Sequence, residues 1–139
     1  MREISGKTIL DTASWGTTFF FILTTASVLF EGFIRTTSLV FNLILFTAGC
    51  GAFITAFLRA VNRSRTELIG VGGLYFLSGC APQKVRFQMM GLHILQIVGS
   101  LTAASFKPFT VVASAVLVPV FGLGLSGLWA SMHGQFETR

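Results

Sequence analysis

The sequence predicts an all-α integral membrane protein: four transmembrane helices, with a short Gly-rich interfacial or re-entrant segment between helices 2 and 3. Three observations lead there. Of 139 residues, 11% are charged and 53% apolar, whereas about a quarter of a soluble domain is charged. Four apolar stretches reach the roughly 20 residues needed to cross about 30 Å of hydrocarbon. The basic residues then fall almost entirely on one side. A chain of this length makes one domain, here a membrane domain over 1–139. Fifteen Phe, fifteen Gly and a mean hydropathy of +0.77 fit that class, since Gly is commoner in membrane helices than in soluble ones.

The first uncharged run, Thr12 to Phe30, gives a span of about 12–34. It is too long for the apolar region of a secretory signal, and no small-residue cleavage site follows, so it reads as a retained helix. Thr36 to Leu58 gives the second span, Phe87 to Phe106 the third and Pro108 to Met132 the fourth. None has a charge at its centre, where insertion would cost about 2.5–3.5 kcal/mol. Pro119 removes a backbone donor within the fourth span and predicts a kink near Ala115.

With four crossings, the N-terminus, the middle loop and the C-terminus share a side. Arg2, Lys7, Arg59, Arg63, Arg65, Lys84, Arg86 and Arg139 lie there, against Arg35 and Lys107 on the other. This bias places both termini in the cytoplasm and the protein in the cell membrane. The net charge of +5 is thereby explained by topology and attraction to lipid headgroups, and no nucleic-acid partner is expected. Cys50 and Cys80 lack metal-ligand spacing and face a reducing compartment, which disfavours a disulfide.

Leu68 to Ala81 is apolar but only 14 residues long, short for a crossing. Basic residues flank it on both sides, so it should dip in and return, or lie flat. Gly70, Gly72, Gly73 and Gly79 permit sharp turns. Gly70-Val71-Gly72-Gly73 lacks the Lys-Ser/Thr of a phosphate-cradling loop. Leu77-Ser78-Gly79-Cys80 resembles a lipoprotein cleavage box, but it follows two spans.

Polar residues inside spans are the usual place to seek function. Glu31 is expected in the last turn of helix 1, with Arg35 four residues on as its ion-pair partner; the alternative role is a coupling carboxylate. Thr17, Thr24 and Glu31 form a stripe flanked by Thr18 and Thr25, read as a helix contact rather than a water path. His93, Gln96 and Ser100 share a face of helix 3, without the second ligand a metal site needs. Asn42 is expected to bond between helices. Three small-residue ridges predict close packing or partner contact: Ala48, Ala52 and Ala56; Gly99 and Ala103; Gly122, Ser126 and Ala130.

The second half carries a resemblance. Its parts are Gly70 to Gly79 with Ala81-Pro82 and Val85-Arg86, then Ser105 to Thr110, then Val118 to Trp129 with His133-Gly134. This pattern resembles a family of small actinobacterial four-helix membrane proteins of mostly unassigned activity. The resemblance extends to the accessory membrane subunit of mammalian-cell-entry (Mce) lipid-import complexes. It implies a small helical protein docked on a transporter permease, and it supplies no catalytic residues.

The expected function is therefore an accessory or scaffolding subunit of a larger membrane complex, with membrane lipids and a membrane protein as partners. No catalytic, cofactor or metal site is expected: two His and five acids, mostly terminal or in loops, do not assemble a nucleophile–base pair. The alternative is a small self-assembling, proton-coupled transporter using Glu31.

Overall fold

The computed structural model describes the backbone of residues 2–139 and the side chains of residues 6–139. The chain forms α1 (Arg2–Leu29), α2 (Phe33–Arg63), a short α3 (Val71–Phe76), α4 (Gln83–Phe106), a 3-10 helix (Val111–Leu117) and α5 (Pro119–His133). Four stretches are long and apolar enough to cross a membrane: Gly6–Leu29, Phe33–Arg63, Gln83–Phe106 and Val111–His133. Among the described residues there is no strand, only one antiparallel bridge between Glu67 and Thr138.

Cross-contacts fix the direction of each helix. Gln88 of α4 bonds to Ser14 of α1, and Gln96 to Thr17, so α1 and α4 run parallel. Asn42 of α2 bonds to Ser114, and Arg63 to Ala130 and Ser131, so α2 runs parallel to the 3-10 helix and α5. The two pairs are antiparallel to each other. One end of the bundle thus gathers the start of α1, the end of α2, the start of α4 and the chain's C-terminus, with most of the Lys and Arg. It is called the basic end below.

α5 is the central helix. Half of the apolar window of its span, Val111–His133, is buried, against 22–28% for the other three spans. Glycine lets it be central. A Cβ on Gly49 would stand 2.6 Å from the Phe121 backbone N and Cα, and a Cβ on Gly124 would strike the Gly49 carbonyl. The backbones of α2 and α5 therefore touch with no side chain between them, as small-residue crossings allow.

Two boundaries differ from expectation. α1 ends at Leu29, so Glu31 lies in the connecting turn rather than in a helix. Gly32, at φ 85°, supplies the left-handed conformation that ends one helix and lets the next begin. The fourth span is not one kinked helix. It is a 3-10 helix followed by α5, and Pro119 stands in the first turn of α5. That position suits proline, because the first N–H groups of a helix have no intrahelical acceptor.

The Gly-rich segment folds as α3 against α2 and α5. Its helix stops at Leu77, whose φ is 55°, and Gly79 follows at φ 73°. Leu77 is not a glycine, and the left-handed region costs it about 1 kcal/mol. Its side chain is fully buried, and the dispersion contacts of a packed leucine offset that cost. Both ends of the segment join the C-terminal tail. The Leu68 N–H donates to the Glu137 carbonyl at 2.7 Å, and the Gln135 N–H donates to the Cys80 carbonyl at 2.8 Å.

Candidate functional site

At the basic end, Arg63 closes α2 and Glu67 lies four residues beyond. The guanidinium fork meets this carboxylate twice: Nε to Oε1 at 3.2 Å and Nη2 to Oε2 at 2.5 Å. Its remaining donors reach the carbonyls of Ala130 (3.3 Å), Ser131 (3.1 Å) and Gly134 (2.9 Å). The last carbonyls of a helix lack intrahelical donors and carry partial negative charge, so a cation there is favourable. The Phe136 ring lies 5.2 Å from the guanidinium carbon, a cation–π distance. Arg63 thereby joins α2, α5 and the tail. Beside it is a cleft of about 710 Å³ lined by Arg59, Arg63, Glu67, Gln135 and Phe136, among others.

Tyr75 anchors α3 to the same structure. Its ring fills the space left by Gly127 and stacks on Phe53 at 4.4 Å. Its hydroxyl donates to the Phe53 carbonyl at 3.2 Å. Cys80, also buried, donates its thiol to the Gly73 carbonyl at 3.0 Å. Burial pushes the Cys80 thiol pKa up, against the opposing pull of the Arg63 and Arg86 charges.

The interior holds a second polar joint. Gln96 is fully buried. Its Nε2 donates to Thr17 Oγ1 at 2.7 Å, and its Oε1 accepts the Gly122 N–H at 3.1 Å. Gly122 lies in the first turn of α5, where the break at Pro119 leaves N–H groups without intrahelical acceptors. A glutamine on α4 thus caps α5 from the side and ties both to α1. Thr17 passes its own proton to the Ala13 carbonyl at 2.7 Å. Among the described residues, His93 Nδ1, Asn42 Oδ1 and Thr24 Oγ1 are buried without a hydrogen-bond partner.

The other expected positions divide. Thr17 and Thr24 face inward, while Thr18 and Thr25 are exposed. Glu31 pairs with Arg35 at 3.4 Å, but its side chain is 79% exposed. Arg35 also reaches back to the Ser27 carbonyl at 3.1 Å. Asn42 Nδ2 meets Ser114 Oγ at 3.0 Å. Ser100 bonds only its own helix, to the Ile97 carbonyl. Ala56, Ala103, Gly122, Ser126 and Ala130 are buried. Gly99 is half-buried beneath the Phe21 ring.

The α2 ridge is divided. Ala56 is buried and Ala52 half-buried, on the side where Gly49 forms the seam, whereas Ala48 is exposed. Ala48, Gly51 and Thr55 instead make a small-residue stripe on the outward face, all three exposed. Between α1 and α4 a groove of about 360 Å³ opens, lined by Phe21, Val28, Leu95, Val98 and Phe106, among others.

The roles of Arg63, Tyr75, Gly49 and Gly124 as joints between helices are not among the expectations from the sequence, although two local signals point to them. Glu67 stands four residues after Arg63, and Gly122, Gly124 and Gly127 alternate with large residues along the fourth span. Among the described residues, no three His, Cys, Asp or Glu side chains gather as a metal site would require. Comparison with protein-family models, with curated proteins and with solved structures gives no match.

Proposed function

We propose that the chain crosses the cell membrane four times with its basic end in the cytoplasm. There it serves as a non-catalytic accessory or scaffolding subunit of a larger membrane complex, of the lipid-import class that the resemblance implies. In this reading the segment 68–81 is re-entrant: it enters from the cytoplasmic side, packs Tyr75 between α2 and α5, and returns.

The observation that carries the reading is the outward stripe of Ala48, Gly51 and Thr55 on α2. Small residues in a membrane permit close backbone approach, and these three are not used by the chain's own helices. The interior polar groups support it as well, because the buried Gln96 and Thr17 and the half-buried Arg63 are engaged in joints between helices. The proton-coupled alternative rests on Glu31 as a membrane-embedded carboxylate. Glu31 stands exposed in a turn beside Arg35, which favours the accessory role over that alternative.

Blue-native electrophoresis of mildly solubilised membranes tests the proposal. The native chain should migrate within a larger complex. Gly51→Leu should release it while leaving its thermal unfolding unchanged, since a Cβ at Gly51 meets nothing within 4 Å. Migration of the native chain only as a free small oligomer would sink the proposal.

A further inference from the structure

We infer that the cleft at the basic end binds the phosphate of an anionic glycerophospholipid headgroup, with Arg59 as its principal ligand. Two arginines line this cleft one helical turn apart on α2. Arg63 is already committed to Glu67 and to three carbonyls, and Glu67 balances its charge. Arg59 is exposed and, among the described residues, makes no hydrogen bond or ion pair. The cleft thus keeps one uncompensated guanidinium, whose planar fork matches two phosphate oxygens. Gln135 and Thr138, on the same wall, add neutral polar groups at the rim.

The level of the cleft selects a lipid over a soluble phosphate. About 30 Å of hydrocarbon, counted from Thr36 at 1.5 Å per residue, ends near Ala56. Arg59 stands about one turn further, where headgroups begin. Leu58, next to it on the helix surface, is 59% exposed, an apolar side chain against which an acyl chain can lie. One molecule can therefore rest a chain beside Leu58 and place its phosphate at Arg59. An acidic protein segment would match the charge but not the adjoining apolar side chain. The inference requires membrane insertion and is independent of the accessory role.

The test uses the full-length protein in nanodiscs of equal phosphatidylglycerol and phosphatidylcholine, with retained lipid measured by mass spectrometry after partial delipidation. The wild type should retain phosphatidylglycerol selectively. Arg59→Gln should lower that retention roughly five-fold, the worth of one basic residue near an anionic headgroup, without altering the thermal unfolding temperature. Arg65→Gln, which removes an exposed charge at the same end, should leave it nearly unchanged. Millimolar glycerol phosphate should not displace the lipid. Equal retention in wild type and Arg59→Gln, or equal losses in both variants, would overturn the site. Displacement by glycerol phosphate would overturn the lipid as its occupant.

Discussion

The two parallel helix pairs are built differently. α2 and α5 meet backbone to backbone at Gly49 and Gly124, with Tyr75 wedged alongside and Arg63 binding their basic ends together. α1 and α4 meet through side chains: Phe21 over Gly99, and Thr17 to Gln96. Beyond Phe21 their contact opens into the apolar groove. Where backbones touch, neither partner can rotate away from an added atom. Where rings and amides touch, a rotamer change can absorb one. The first pair should therefore behave as a rigid frame and the second as an adjustable one.

The sharpest way to break this contrast is to enlarge a glycine of the frame. Gly124→Val should cost more than about 3 kcal/mol, because the neighbour is the Gly49 carbonyl and the helices must separate. Thermal unfolding in detergent should show a large fall or no folded protein.

Arg63→Gln comes next, at about 2–3 kcal/mol. A half-exposed pair is worth less than a fully buried one, but the Ser131 and Gly134 carbonyls also lose a donor, while Ala130 keeps the Gly134 N–H. Its second readout is maleimide labelling of Cys80 near neutral pH. The thiolate is the reactive form, and burial holds the thiol protonated, so labelling of the wild type should be slow. Removing the Arg63 charge from a closed structure would raise the thiol pKa further and slow it again. Faster labelling in Arg63→Gln would therefore report opening of the segment rather than a change in charge.

Gln96→Leu should cost about 1–2 kcal/mol by leaving the Gly122 N–H unpaired in the interior. Gly99→Ala should cost under about 1 kcal/mol, since the Phe21 ring can turn aside. If Gly99→Ala proved as damaging as Gly124→Val, both measured by thermal unfolding, the contrast between the pairs would be lost.

The four long helices were legible because apolar length and basic residues act over whole segments. The single-residue geometry was not. The period of four from Ala48 to Ala56 looks like a packing ridge, yet the seam follows Gly49, because its register is set by where α5 presents Gly124. Pro119 was visible, but its consequence depended on the preceding seven residues adopting a 3-10 helix. Glu31 seemed helical by spacing, and Gly32 ended that helix two residues earlier. Asn42 and Gln96 stood out as polar residues in apolar runs. Their partners, Ser114 and Gly122, lie 72 and 26 residues away in the chain, and nothing in the sequence pairs them. Arg63 reads as a topological charge, whereas three of its five hydrogen bonds depend on where the end of α5 and the first residue beyond it lie.

The most direct test of the proposed topology is cysteine labelling in intact cells. Cys50 and Cys80 are replaced by Ala, and single cysteines are introduced as Arg65→Cys, Lys84→Cys and Phe109→Cys, reacted with a membrane-impermeant maleimide. All three variants should fold, as these side chains are exposed. Position 109 should label from outside, while 65 and 84, on either side of the re-entrant segment, should label only after permeabilisation. Labelling of 84 but not 65 in intact cells would mean that the segment crosses the bilayer, and would contradict the four-crossing arrangement.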